Sequence, residues 1–231
     1  MPTAPAHPGP VRVMAAASLT DVVEAGADAL EADDDTWVLA SPVFGGSQDL
    51  ARQLAEGADA DVIALADTEI MDVLVDGDLV EDPVVFATSR LAIAVSPDNP
   101  KGIERLEDLA RDDVRVVLAD PSVPAGRYAA QALARAEVEV RPRSLELDVR
   151  SALAKVTSGD ADAAIVYVTD VRSSDGAAEA VDIPEEDNVV ARYPVAVVRR
   201  AADPAAARAY VEELVSGRLQ QLLRDAGFGA P

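Results

Sequence analysis

VRVVLADPSVPAGRYAAQALARA, residues 114–136, joins a β-rich run to a helical run through a turn bounded by prolines. The pattern predicts a strand over 114–120 and a helix over 125–136. A strand followed directly by a helix is typical of parallel sheets covered by helices. Ala125 and Gly126 begin the helix, and such small residues allow backbone N–H groups to approach a ligand. The positive end of the helix dipole favours negative charge at that point.

The same alternation of strand and helix continues on both sides of this segment. On the amino-terminal side the predicted elements are a strand at 11–17, a helix from Ser18 to about Glu31, a strand at 36–42, a helix at 48–57, a strand at 61–66 and a helix from Asp67 to about Val75. A helix at 104–111 directly precedes the segment. A short run at 143–147, a helix from Asp148 to about Ser158 and a strand at 161–168 follow it. The chain therefore contains two successive α/β series.

Two long β-rich runs, 84–96 and 188–200, connect the two series. We interpret them as paired strands that cross between two lobes, with helices from Pro204 to about Ala226 returning to the first lobe. The predicted fold class is α/β, with each lobe a sheet flanked by helices and the two crossing strands as a hinge. The predicted boundaries are a flexible tail at 1–10, lobe 1 at 11–88 and 194–231, and lobe 2 at 89–193.

Composition limits the possible partners. The 231 residues include 42 acidic and 20 basic side chains, for a net charge of −22, which argues against binding to nucleic acid or to an anionic membrane. Lys101 and Lys155 are the only lysines and aromatic residues are 3%, a pattern that favours salt adaptation over an ordinary acidic protein. Because the chain has no cysteine, it has no disulfide framework, thiol nucleophile or zinc-thiolate site.

Motifs of catalysis are missing from the sequence. The single histidine, His7, lies in the proline-rich start, which resembles a linker left after removal of a signal or anchor. GGSQD at 45–49 lacks the last glycine of G-x-S-x-G, and neither dinucleotide nor P-loop glycine motifs occur. The acidic runs 31–35 and 76–82 lack calcium-loop spacing and indicate solvated surface. These observations favour a binding protein without catalysis, cofactor or metal.

Helix starts after predicted strands carry the candidate site. Ligands of parallel α/β sheets bind beyond the carboxyl ends of strands, where Ser18, Ser47, Ala125 and Val149 lie, with Tyr167 at the end of its strand. Such donors suit an anion. For each residue a simpler interpretation stays open: the serines cap helices, the turn at Ala125 only connects, and Tyr167 only packs. The charged neighbours are interpreted as solvated helix residues (Arg127, Arg150) and as helix caps or solvated rim (Asp21, Asp49, Asp148, Asp170).

Four blocks in order resemble the periplasmic molybdate-binding proteins of ABC transporters: AAASLTD (15–21), GGSQDLARQLAEGADADVIALAD (45–67), DPSVPAGRYAAQAL (120–133) and DVRSALAKVTSGDADAAIVYVTD (148–170). The resemblance implies a two-lobed periplasmic-binding-protein fold with a cleft. It also implies oxyanion ligands at Ser18 and Ser47 through hydroxyl and amide groups, at Ala125, at Val149 through its backbone N–H, and at Tyr167. FGGSQD departs from the doubled serine of many members.

The resemblance further implies the function. An extracytoplasmic protein, periplasmic or at the cell surface, would capture molybdate or tungstate in the interlobe cleft and deliver it to an ABC permease as a monomer. Two alternatives stay open, a binding protein for another oxyanion such as sulfate, and the ligand-sensing domain of a regulator.

Overall fold

A computed structural model describes residues 10–33 and 39–231. The chain divides into two units, which are treated separately below. Unit 1 holds the described residues up to Ala87, then Arg192–Asp225 and Gly229–Pro231, and unit 2 holds Thr88–Ala191 and Ala226–Phe228. The chain passes between the units after Ala87 and after Ala191, within two residues of the predicted lobe boundaries. Ala226–Phe228 belongs to unit 2, although it was predicted in lobe 1. His7 and most of the predicted tail lie outside the described residues.

Unit 1 is built on a mixed sheet in the order β2-β1-β3-β9. β1 (Val11–Ala16) is parallel to both β2 (Leu39–Gly45) and β3 (Val62–Ala64), and β9 (Val190–Val198) is antiparallel to β3. The helices of this unit are α1 (Thr20–Asp33), α2 (Ser47–Ala55), α3 (Thr68–Asp76), α7 (Pro204–Val215) and α8 (Leu219–Asp225). Fully buried apolar side chains from strands and helices, such as Ile63 and Leu54, form its core.

An ion pair with a buried carboxylate lies at the amino-terminal ends of β1 and β3. Asp61 is 2% exposed and accepts hydrogen bonds from the backbone N–H of Arg12 (2.9 Å), from its guanidinium (2.9 Å) and from the N–H of Ala202 (2.7 Å). Burial alone would raise the pKa of Asp61, but the hydrogen bonds from Arg12 and Ala202 outweigh it and hold the pKa below its ordinary value. The carboxylate therefore joins β1, the start of β3 and the loop after β9.

Unit 2 has a second mixed sheet in the order β8-β4-β7-β5-β6. β5 (Val116–Ala119) is parallel to its two neighbours, β6 (Ser144–Glu146) and β7 (Ala163–Tyr167), while β4 (Val80–Val95) is antiparallel to β7 and to β8 (Glu179–Asp182). The helices of this unit are α4 (Pro124–Arg135), α5 (Val149–Thr157) and α6 (Val168–Arg172). Over 10–33 and 39–231, none of the helices combines the length and apolar character needed to cross a bilayer.

The α/β fold class is confirmed, with several local differences. The sheets are mixed, not purely parallel, because the crossing strands β4 and β9 run against their neighbours. β2 continues to Gly45 instead of ending at 42, and the predicted start of that strand lies outside the described residues. A 3₁₀ turn at Ala17–Leu19 precedes α1, and another at Leu106–Ala110 replaces the helix predicted at 104–111. β8 and α6 were not predicted.

The acidic run 76–82 is only partly the solvated surface that was predicted. β4 begins inside it at Val80, whose side chain is 2% exposed. The sequence pattern concealed this start because acidic residues surround the single buried valine. Among residues 10–33 and 39–231, no group of three or more His, Asp or Glu side chains has an arrangement suited to a metal ion.

Candidate functional site

In unit 1, Ser18 and Ser47 leave the sheet at equivalent positions. β1 and β2 are parallel and pair Ala16 with Gly45 in register. Ser18 follows Ala16 by two residues, and Ser47 follows Gly45 by two residues. Because carboxyl ends of adjacent parallel strands lie at the same edge of a sheet, both serines belong to one edge of unit 1. Both are buried, at 4% and 2% exposure.

Each of these serine hydroxyls already accepts a hydrogen bond inside unit 1. The N–H of Ala66, just beyond β3, donates to Ser47 Oγ at 3.1 Å. The hydroxyl of Tyr193 on β9 donates to Ser18 Oγ at 3.3 Å. A serine hydroxyl has one hydrogen and two acceptor positions, so the O–H of each serine can still donate. The hydroxyl of Ser47 thus connects α2 to the next strand, and the N-cap of α2 is Gly46.

In unit 2, the remaining three candidates lie at or beyond the carboxyl ends of parallel strands. β5 pairs with β6 at Ala119 and Glu146, and with β7 at Val117 and Ala164. α4, α5 and α6 begin directly beyond these strands, so their amino-terminal ends share one edge of the sheet. The candidates at this edge are Ala125, the second residue of α4, Val149, the first residue of α5, and Tyr167, the last residue of β7. All three are buried, with exposures of 3%, 5% and 1% in that order.

Glycine is required at position 126 for a packing reason that the sequence did not reveal. A Cβ atom at this position would lie 2.1 Å from the carbonyl oxygen of Asp120 and 2.4 Å from that of Ala119. The first turn of α4 therefore packs directly on the end of β5. We predicted small residues here for approach to a ligand, but for Gly126 the close approach is to the chain itself.

Asp148 caps α5, as predicted. Its carboxylate accepts from the N–H of Ser151 at 2.8 Å and from the hydroxyl of Ser151 at 2.9 Å. A cap satisfies one of the unpaired N–H groups of the first turn and fixes the direction in which the chain enters the helix. The position of Val149, the next residue, depends on this cap.

Asp170 is not at a solvated rim, contrary to one of the two predictions for it. Its side chain is 0% exposed, Oδ1 lies 3.0 Å from Nε of Arg150, and Oδ2 accepts from the N–H of Tyr167 at 3.1 Å. It does act at the start of α6, in agreement with the capping alternative. Arg150 is 27% exposed and ion-paired, so its interpretation as a solvated helix residue is wrong. Arg127 is also half-buried, with its guanidinium 5.7 Å from the ring centroid of Tyr128.

Sequence reasoning missed Tyr193 and the pairing of Arg150 with Asp170. Tyr193 is 0% exposed and lies in the run RYPV of β9, 175 residues from its partner Ser18. The hydroxyl of a buried tyrosine usually has a hydrogen-bond partner, so the sequence could have indicated that Tyr193 makes such a bond. No local pattern identifies the partner itself.

The candidate residues are uncharged, and they offer hydroxyl hydrogens and helix-start N–H groups. Such groups stabilise negative charge through hydrogen bonds and through the helix dipole. Two α/β units with donors of this kind at the carboxyl ends of their strands are the features of a solute-binding protein for anions.

Comparison with known proteins gives the family. The family model described as "Bacterial extracellular solute-binding protein" matches residues 11–229, and the chain belongs to this family. The chain is similar to the molybdate-binding protein ModA of Mycobacterium tuberculosis (strain H37Rv), at 40% identity over 189 residues, which cover 81% of this chain and 72% of that protein. ModA of Escherichia coli is 31% identical over 234 residues, covering 96% and 90%.

A solved structure agrees in fold. The periplasmic molybdate-binding protein of Azotobacter vinelandii matches with a TM-score of 0.82 and 17% identity, covering 96% of this chain and 99% of that one. The predicted resemblance to ModA-like solute-binding proteins and the periplasmic-binding-protein fold are thereby confirmed.

Proposed function

We propose that this chain binds molybdate or tungstate through Ser18, Ser47, Ala125, Val149 and Tyr167. The observation that carries the proposal is the state of the two buried serines, each of which accepts a hydrogen bond within unit 1 and keeps its O–H to donate. The curated relatives named as molybdate-binding support the same ligand.

The donor set suits an anion that carries no proton. Molybdate and tungstate are fully deprotonated near neutral pH and only accept hydrogen bonds. Phosphate keeps a proton near pH 7 and requires an acceptor, which the five proposed residues do not supply as side-chain carboxylates. Sulfate is also free of protons, so its rejection must come from its smaller size.

The proposal extends to the role of the protein. It is a carrier that captures the oxyanion outside the cytoplasm and delivers it to an ABC permease, without a chemical reaction and without a cofactor. Membership of the extracellular solute-binding family supports this role. We propose that the carrier acts as a monomer.

Salt adaptation is a separate part of the proposal. A net charge of −22 would oppose the approach of a dianion in dilute solution. In about 1 M salt the Debye length falls to roughly 3 Å, so surface carboxylates repel neither one another nor the ligand. We expect both the midpoint of thermal unfolding and the rate of molybdate association to rise between low and molar sodium chloride.

Isothermal titration with molybdate, tungstate, sulfate and phosphate tests the function, using the wild type and Ser18→Ala. We expect the wild type to bind the first two anions and the variant to lose about 1.5–3 kcal/mol of binding free energy, the contribution of one hydrogen bond to a charged group. Ser158→Ala is the matched control, because that exposed hydroxyl bonds to the carbonyl oxygen of Lys155 and the carboxylate of Asp160 at the carboxyl-terminal end of α5, opposite to Val149. An unchanged affinity in Ser18→Ala would remove Ser18 from the site.

A further inference from the structure

We propose that the ion pair between Arg150 and Asp170 is a positioning element for the proposed oxyanion ligands Val149 and Tyr167, and that it sets the charge around these two residues. This inference rests on the proposed function. It concerns two residues that do not contribute to the proposed ligand set.

The pair connects two of the proposed ligand residues. Arg150 follows Val149 in the first turn of α5, and Asp170 accepts from the N–H of Tyr167. The distance of 3.0 Å between Arg150 Nε and Asp170 Oδ1 therefore joins the start of α5 to the corner between β7 and α6. Because α5 packs on both β7 and α6, the pair fixes Val149 and Tyr167 relative to each other.

The charges have opposite effects on a nearby dianion. Asp170 is 0% exposed, so water does not screen its negative charge, and a buried carboxylate next to Tyr167 would oppose an oxyanion. The guanidinium of Arg150 balances that charge. An arginine without Asp170 would instead attract every dianion, sulfate included, and would slow release. When the two charges balance each other, the oxyanion is bound by neutral hydrogen-bond donors, whose contribution depends on their geometry.

A purely structural pair and a charge-setting pair predict different orders of affinity. Asp170→Asn removes the negative charge and keeps one oxygen that can accept from Tyr167 N–H, while its amide NH2 replaces the oxygen that lies next to Arg150 Nε. Arg150→Gln removes the positive charge and leaves the buried carboxylate. The double variant removes both charges. If charge decides, the double variant binds better than Arg150→Gln although it has lost more of the native contacts.

The experiment measures the molybdate and sulfate dissociation constants of the wild type and of these three variants by titration calorimetry. We expect Arg150→Gln to weaken molybdate binding by about tenfold or more, Asp170→Asn to strengthen the binding of both anions severalfold, and the double variant to lie within about threefold of wild type. Circular dichroism of each variant establishes that it is folded. If Arg150→Gln does not fold, the direction of change in Asp170→Asn decides the question.

Arg115→Gln is the matched control. Arg115 pairs with Asp162 at 2.7 Å in the same unit, at the amino-terminal ends of β5 and β7, opposite to the candidate residues. We expect it to change stability and to leave both dissociation constants unchanged. A double variant weaker than Arg150→Gln, or a folded Asp170→Asn that binds more weakly than wild type, overturns the inference. A wild type that does not bind molybdate overturns the proposed function first, and the role of the pair with it.

Discussion

Replacing Gly126 with alanine tests the link between helix packing and ligand geometry in unit 2. The new Cβ atom would lie 2.1 Å from the carbonyl oxygen of Asp120. Carbon–oxygen contacts rarely fall below about 3.3 Å, so the start of α4 must move by about 1 Å. Neither neighbour is a side chain that can rotate away, because both close atoms are backbone oxygens.

The two energetic effects of this substitution oppose each other. Alanine has a higher helix propensity than glycine, which stabilises α4 by at most about 1 kcal/mol. Overpacking a well-packed site costs about 1–3 kcal/mol, and a contact with rigid backbone belongs at the upper end or beyond. We therefore expect a net loss of about 2 kcal/mol, which in a chain of this size lowers the midpoint of thermal unfolding by roughly 4–8 °C.

The same displacement moves Ala125, and this gives a second readout. A shift of about 1 Å would break the proposed hydrogen bond between its N–H and the oxyanion, which corresponds to roughly a tenfold to hundredfold loss of molybdate affinity. Differential scanning calorimetry and titration calorimetry measure the two effects separately. Gly45→Ala is the control, because a Cβ there would meet Leu50 Cδ2 at an ordinary 3.6 Å. If Gly126→Ala has the unfolding midpoint and the molybdate affinity of the wild type, the packing argument is refuted.

Three further predictions concern single side chains. Asp61→Asn should lower stability at pH 7 by about 2 kcal/mol, since the charged form accepts from Arg12 and Ala202. Because the pKa of Asp61 is lower in the folded chain, its contribution is present above the unfolded pKa of about 3.9 and is lost as pH falls through the folded value. The difference between wild type and variant in urea unfolding should therefore vanish in acid, and a constant difference would contradict the pKa argument. Asp148→Ala should cost about 1 kcal/mol in urea unfolding by removing the cap of α5, and Asp148→Ser should restore most of it. Ser47→Ala should cost about 1–3 kcal/mol of stability without ligand, because it leaves the N–H of Ala66 without its buried acceptor, and an unchanged unfolding midpoint would show that this bond is dispensable.

Features with local causes were predicted well from the sequence. The bounds of α4 follow from Pro124 at its first position and the apolar spacing within it. The start of α5 follows from a capping residue in front of an apolar run, and the strand of residues 163–167 from a continuous apolar stretch. Each of these signals lies within a few residues of the element that it predicts.

Features that depend on distant partners were not predicted. β2 extends to Gly45 because it pairs with β1, where Ala15 is in register with Phe44. The burial of Asp170 depends on Arg150, which is 20 residues earlier in the sequence, and the orientation of Ser18 depends on Tyr193. Residue types at these positions indicated helix starts, but the pairs form only when the sheets assemble.

The most direct test of the proposed ligand is thermal unfolding in molar sodium chloride with millimolar molybdate, tungstate, sulfate or phosphate added in turn. Ligand at about 1,000 times its dissociation constant stabilises the folded chain by roughly 4 kcal/mol. The account predicts that molybdate and tungstate raise the unfolding midpoint by several degrees, while phosphate has no effect and sulfate at most a small one. No shift with any oxyanion, or an equal shift with phosphate, would contradict a site built from donors for a proton-free dianion.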